Sequence, residues 1–160
     1  MSHHVRRTDR AITDPAHIES IIERGRYCTF ALIDGEEPYA VALSYGYDAC
    51  ARRMYFHVAH AGHKLDVIRR NPSACGHIVI DHGYTQGECE HPFESAVLRG
   101  RMRIVEDDEE KRHALQVLIG HLEDDATAFW ESRGLDDAAE YQRFTALCFE
   151  IGSVTAKRGK

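Results

Sequence analysis

The sequence predicts a mainly β fold of the α+β kind, an antiparallel sheet curled into a closed or partly closed barrel with short helices capping its ends. Two observations predict it. Five or six runs rich in β-branched and aromatic residues are separated by short polar turns. The helical stretches are few and short, and they do not alternate with strands as a doubly wound βαβ sheet requires. Closure into a barrel removes the exposed edges that such a sheet would otherwise leave.

The elements follow in order. "DPAHIESIIERG" opens on Asp14, a good N-cap, with Pro15 at the first helical position. Ile18, Ile21 and Ile22 give one apolar face, and Gly25 is a stop. "YCTFALI" (27–33) is a strand, "DGEEP" (34–38) a turn, and "YAVALSYGY" (39–47) a second strand. "DACARR" turns the chain into a third strand, "MYFHVA" (54–59). "GHKLDVIRRNP" is a short helix, with Leu65 and Ile68 three apart, Arg69 and Arg70 at its cationic end and Pro72 just beyond. "ACGHIVIDH" (74–82) returns to strand and "GYTQGECEHP" (83–92) is a loop. "FESAVLRGRMRIVE" (93–106) is a long strand, bulged or bent at Gly100. "DDEEKRHALQVLIGHL" is the clearest helix, acidic in its first turn and apolar along Ala114, Leu115, Leu118 and Leu122. A weaker helical region, "DATAFWESRG" and "DDAAEYQRF", precedes the closing strand "TALCFEIGSVTAKRGK".

Bulk properties narrow the function. The 160 residues suit one domain spanning 1–160, and 43% hydrophobic residues supply a core. A net charge of -6 argues against general nucleic-acid binding but leaves room for a local basic pocket that takes a phosphate. Five cysteines, an odd number without Cys-x-x-Cys spacing, fit neither a disulfide framework nor a cysteine-rich zinc site. The start "MSHHVRRTDRAITDP" has no apolar core of signal-peptide length, and no run approaches the roughly 18 apolar residues of a membrane helix. These features lead us to expect a soluble protein of a reducing cytoplasm, with neither nucleic acid nor membrane as partner.

"HVAHAGHKLD" (57–66) carries the sharpest question. His57, His60 and His63 are spaced by three, which suggests a metal site. However, His57 belongs to a strand, where side chains alternate faces, and His63 to a helix start, so convergence is not expected. No metal is expected. An anion fits better: free N–H groups at a helix start bind phosphate, Gly62 permits close approach, and Lys64 adds charge where a helix otherwise prefers acid. In strand 39–47, Tyr39, Val41, Leu43 and Tyr45 share one face, and Ala40, Ala42 and Ser44 the other. The small face can pack tightly against a helix or carry a flat ligand. Cys28, Cys50 and Cys148 read as packing residues, Trp130 as core, and Asp107–Glu110 as a helix start.

"DGEEPYAVALSYGYD", "MYFHVAHAGHKLDVIRRNPSACGHIV", "CEHPFESAVLRGRMRIVEDDEEKRHALQVLIGHL" and the terminal "VTAKRGK" occur in the order found in the FMN-binding split-barrel proteins. The chain resembles their pyridoxamine 5′-phosphate oxidase-like group, in particular the nitroimidazole-resistance branch, from about Arg6 to Lys157. "GHKLDVIRRNP" and "ESAVLRGRMRIVEDDEEK" are the most specific blocks. The resemblance implies an antiparallel split β-barrel and a homodimer with FMN at its interface. The flavin would lie along Tyr39, Val41, Ala42, Leu43 and Ser44, its phosphate near Ser44, His63 and Lys64. His57, Val58 and Ala59 would run beside the flavin and its ribityl chain. Phe93, Glu94 and Ser95 would reach it from the second subunit, and Thr155 and Lys157 would approach from the C-terminal tail. "PYAVALSY" lacks the Arg and Lys that true pyridoxamine phosphate oxidases carry in this strand, and the later Trp and Arg substrate signature is missing. Oxidation of pyridoxamine phosphate is therefore not expected.

The resemblance leads to an FMN-dependent oxidoreductase that passes electrons, from a nicotinamide nucleotide or another reductant, to a small acceptor such as a nitroaromatic or quinone. His57 or His63 would be the proton donor. The alternative is a non-catalytic module of the same fold holding flavin, deazaflavin or haem. A histidine-based metal hydrolase is the third and weakest reading.

Overall fold

The computed structural model describes residues 5–141 and 143–159. Gln142 and Lys160, in the weak helical region and the closing strand, lie outside the described residues. The strands are β1 (Ala11–Ile12), β2 (Tyr27–Asp34), β3 (Glu37–Ser44), β4 (Gly46–Asp48), β5 (Arg53–Val58), β6 (Ser73–Asp81), β7 (Phe93–Val105) and β8 (Thr145–Gly159). The helices are α1 (Pro15–Arg24), α2 (His63–Arg70), α3 (Asp108–Leu122), α4 (Ala126–Ser132) and α5 (Ala138–Tyr141). No helix among the described residues is long and apolar enough to cross a membrane.

All pairings are antiparallel, in the order β3-β2-β6-β7-β8-β5-β4, with β1 added to β8. The ends of this order, β3 and β4, are consecutive in the chain and joined through Tyr45 alone. The barrel therefore closes by chain continuity and not by a ladder, and it is split beside β3. The stretch 39–47, expected as one strand, is two strands with different partners: β3 pairs with β2, and β4 with β5. Tyr45 marks the break. Its ring is fully buried and its hydroxyl donates to the Ile22 carbonyl at 2.6 Å, which draws the chain inward to the end of α1.

Alternation sets the core. Cys28, Phe30 and Leu32 of β2, Met54, Phe56 and Val58 of β5, and Phe149 fill the barrel, with Phe30 edge-on to Phe56 and Phe149. Ile21 and Ile22 of α1 cap this core, and Asp14 accepts from the Ala16 N–H at the helix start as the sequence anticipates. A second core lies outside the barrel, where Ala114, Leu115 and Ile119 of α3 cover Tyr55, Val105, Ala146 and Cys148. Arg103 holds Glu110 through two bonds of 2.9 and 2.6 Å, which fixes α3 to β7. The irregularity expected at Gly100 is a register shift between Arg99 and Gly100 against β8. A Cβ at Gly100 would stand 2.0 Å from the Glu150 carbonyl oxygen, so only glycine permits the approach.

Candidate functional site

The sheet has an outer face built of small side chains. In β3, Tyr39, Val41 and Leu43 pack against the barrel core, while Ala40 and Ala42 are exposed on the other side. Register extends that side across the sheet. Ala42 pairs with Thr29, Thr29 with His77, His77 with Val97, and Val97 with Thr155. A parallel row runs Ala40, Ala31, Cys75, Arg99, Ser153. The same face bears the most exposed large apolar side chains of the strands, Tyr27 (65%), Ile33 (52%) and Val79 (49%). It is therefore small along β3, apolar at Tyr27, Ile33 and Val79, and polar through Thr29, His77, Arg99, Ser153 and Lys157. The His77 imidazole is pushed below its ordinary value, first by partial burial and then by the nearby Lys157 ammonium.

Beside this face, the loop after β5 enters α2. Gly62, the N-cap, has φ 143, a backbone conformation suited to glycine, and a Cβ there would meet nothing within 4 Å. No side chain caps the helix start. The Leu65 N–H returns to the Gly62 carbonyl at 2.9 Å, which leaves the N–H groups of His63 and Lys64 to face outward. His63 is held from two sides: its Nε2 lies 2.8 Å from Asp34, and its ring meets Tyr39 at 5.0 Å. Arg70, at the other end of α2, holds the second oxygen of Asp34 at 2.5 Å. The β2–β3 turn thus anchors both ends of α2 and sets its N-terminus against β3. Lys64 is half-buried and makes no ion pair among the described residues.

The other expected residues are placed as follows. Ser95 lies on the outer face, between Val79 and Lys157 in register; it is 1% exposed and its Oγ has no hydrogen-bond partner among the described residues. Lys157 is exposed, its ammonium 5.5 Å from the Phe93 ring centroid. Glu94 points the other way. Arg24 holds it at 2.7 Å, His82 stands at 3.3 Å and His17 bonds its second oxygen, so Glu94 ties α1 to the barrel end. These partners, the Arg24 bond first, lower its carboxyl to about 2. Val58 faces the barrel core, whereas His57 turns outward to Phe144, 4.8 Å between ring centroids. His57 and His63 have no partner in common, and His60 bonds Thr145 at 3.3 Å. Among the described residues no group of three or more His, Cys, Asp or Glu side chains could hold a metal ion. Thr29 and His77 were missed by the sequence reading. The alternation of "YCTFALI" was the available signal for Thr29, since it opposes Thr29 and Ala31 to Cys28, Phe30 and Leu32.

A barrel split beside β3, with a flat face of small residues next to an uncapped helix start, defines the class of split-barrel proteins. Solved structures agree. A proposed 5-nitroimidazole antibiotic resistance protein from Bacteroides thetaiotaomicron is 26% identical, with TM-score 0.78 over 99% of this chain and 96% of that one. The flavocytochrome Anf3 from Azotobacter vinelandii (18% identity, TM-score 0.80, 97% of this chain and 72% of that one) shares the fold. So does an FAD and haem binding protein from Mycobacterium smegmatis (17%, 0.73, 94% and 74%). Comparison with curated proteins finds no match. The sequence profile described as pyridoxamine 5′-phosphate oxidase matches residues 14–158, and the chain belongs to this family of flavin-binding split barrels.

Proposed function

We propose that the protein is a homodimeric FMN-binding oxidoreductase that reduces a small acceptor such as a nitroaromatic or quinone. The observation that carries this reading is the α2 corner: two outward N–H groups, an unpaired Lys64 and an unhindered Gly62 beside the bare outer face of β3. This set of donors fits a phosphate monoester. His63 and Lys64 would hold the phosphate, with Asp34 orienting the His63 ring. Ala42 and Ser44 would leave room for the ring system, and Tyr39, Val41 and Leu43 would supply backbone only.

The apolar exposure of Tyr27, Ile33 and Val79 supports a second copy of the chain against the same face. In that arrangement Ser95 and Lys157 would come to the cofactor from the partner subunit, and the buried, unpartnered Ser95 Oγ supports such a role. Glu94 is not part of this set, because its oxygens are committed to Arg24, His17 and His82. Bound flavin supplies the redox chemistry, and the protein binds it, orients it and tunes its surroundings. His57 and His63 have separate surroundings, so no shared acid–base pair is assigned; His63 serves the phosphate.

The test is the visible absorption spectrum of the purified protein, followed by oxidation of a nicotinamide nucleotide with added acceptors. A flavin spectrum and acceptor-dependent turnover are expected. Colourless protein that FMN cannot reconstitute would overturn the reading. A flavin spectrum without turnover would select a silent binder, and a Soret band a haem module.

A further inference from the structure

A cavity of about 570 Å³ opens outside the barrel, between α3, α4 and β5. Leu115, Leu118, Leu122, Phe129, Phe144 and His57 are among the residues that line it. Its volume suits a small organic ligand. The alternation of β5 sends Phe56 and Val58 into the barrel and His57 into this cavity. Burial holds the His57 imidazole below its ordinary value, so near neutral pH it is an uncharged ring, edge-on to Phe144.

Arg133, Arg143, Glu140 and Glu123 also line it. Arg143 and Glu140 satisfy each other at 3.0 Å. Arg133 lies 5.4 Å from the Phe129 ring centroid and meets no carboxylate among the described residues. Glu123, exposed at the end of α3, is the remaining acid. The lining thus joins apolar and aromatic side chains to one guanidinium, Arg133, that pairs with no carboxylate among the described residues, with Glu123 as the opposing charge. The burial-shifted imidazole repels neither charge sign, and Arg133 supplies the cation that an anion can reach, with Glu123 weakening it.

We propose that this cavity binds an aromatic monoanion, its flat ring system between the leucines and Phe129 and Phe144, its carboxylate on Arg133. Aromatic walls favour edge and offset contacts with such a ring. A guanidinium already stacked on Phe129 is ordered before a carboxylate arrives. The site shares no residue with the outer face of β3 or the α2 corner, so it stands or falls apart from the flavin reading.

Isothermal titration of 2-naphthoate into the purified protein, with whatever cofactor it retains, tests the proposal. One naphthoate per chain is expected, and 2-naphthamide, with the same rings and no charge, should bind about tenfold more weakly. Arg133→Gln should bring the acid down to the amide's affinity, and Glu123→Gln should tighten it. Leu122→Trp should fill the cavity and remove binding while the thermal midpoint is kept. If that variant does not fold, the comparison of Arg133→Gln with wild type decides. Absence of naphthoate binding, equal affinity for acid and amide, or undiminished binding to folded Leu122→Trp would each overturn the proposal.

Discussion

Lys64 and Glu94 are both charged side chains next to the barrel's ends, and their surroundings give them opposite roles. Lys64 makes no ion pair among the described residues, so its charge would be available to a ligand. Lys64→Ala should weaken FMN binding by about 1.5–3 kcal/mol, the worth of a charged hydrogen bond, as measured by titration of flavin-free protein. Unchanged affinity would place the phosphate elsewhere. Glu94 is saturated by Arg24, His17 and His82. Its folded-state carboxyl is lowered from 4.5 to about 2. A depressed carboxyl contributes stability that is fully present above the unfolded value and is lost as pH falls toward the folded one. Glu94→Gln should therefore cost on the order of 1–3 kcal/mol at neutral pH, discounted for partners that are partly in water. The cost should shrink as pH drops from about 4.5 toward 2. Urea unfolding at several pH values checks both the size and the sign.

The join between β3 and β4 governs how the elements close. A continuous strand over residues 39–47 would run past the barrel; the break at Tyr45 turns the chain so that β4 can pair with β5. The Tyr45 hydroxyl also donates to the carbonyl of Ile22 at the end of α1, where no further helical turn supplies an N–H to it. Burial pushes the Tyr45 phenol up, so it stays a neutral donor at any ordinary pH. Tyr45→Phe should cost about 1–2 kcal/mol, since a buried carbonyl loses its donor. Chemical denaturation with an unchanged m-value is the expected signature, and an unchanged midpoint would mean water replaces the hydroxyl.

At the scale of the whole molecule, the exposed outer face is the unfinished part. A sheet face carrying Tyr27, Ile33 and Val79 in water costs solubility unless another surface covers it. If a second copy does so, Ile33→Asp with Val79→Asp should yield monomer in sedimentation velocity and release flavin at the same time. Dimer that persists with flavin retained would move the interface elsewhere. Both substitutions are on the solvent side of the sheet, so the barrel core should keep its stability.

Local pattern was enough for the strand segments other than β1 and the β3–β4 break, for the helices α1, α2 and α3, and for the turn from strand to helix at Gly62, because alternation, capping and apolar spacing are written in neighbouring residues. Pattern also separated the two faces of β3. The tertiary structure decided which face each neighbour presents to a ligand. It split residues 39–47 at Tyr45, whose ring is buried and whose hydroxyl donates to the Ile22 carbonyl of α1, a partner that local pattern does not show. It committed the Glu94 carboxylate to Arg24 and His17, some seventy residues earlier, which reach it across the barrel end. It turned His57 away from His63 because a strand and a helix project their side chains by different rules. It also brought His77 beside Thr29, an adjacency that exists only through the ladder of β2 and β6. Periodicity acts within a segment, so the sequence by itself determined the parts; partners distant in the chain meet only on closure, so the barrel decided the site.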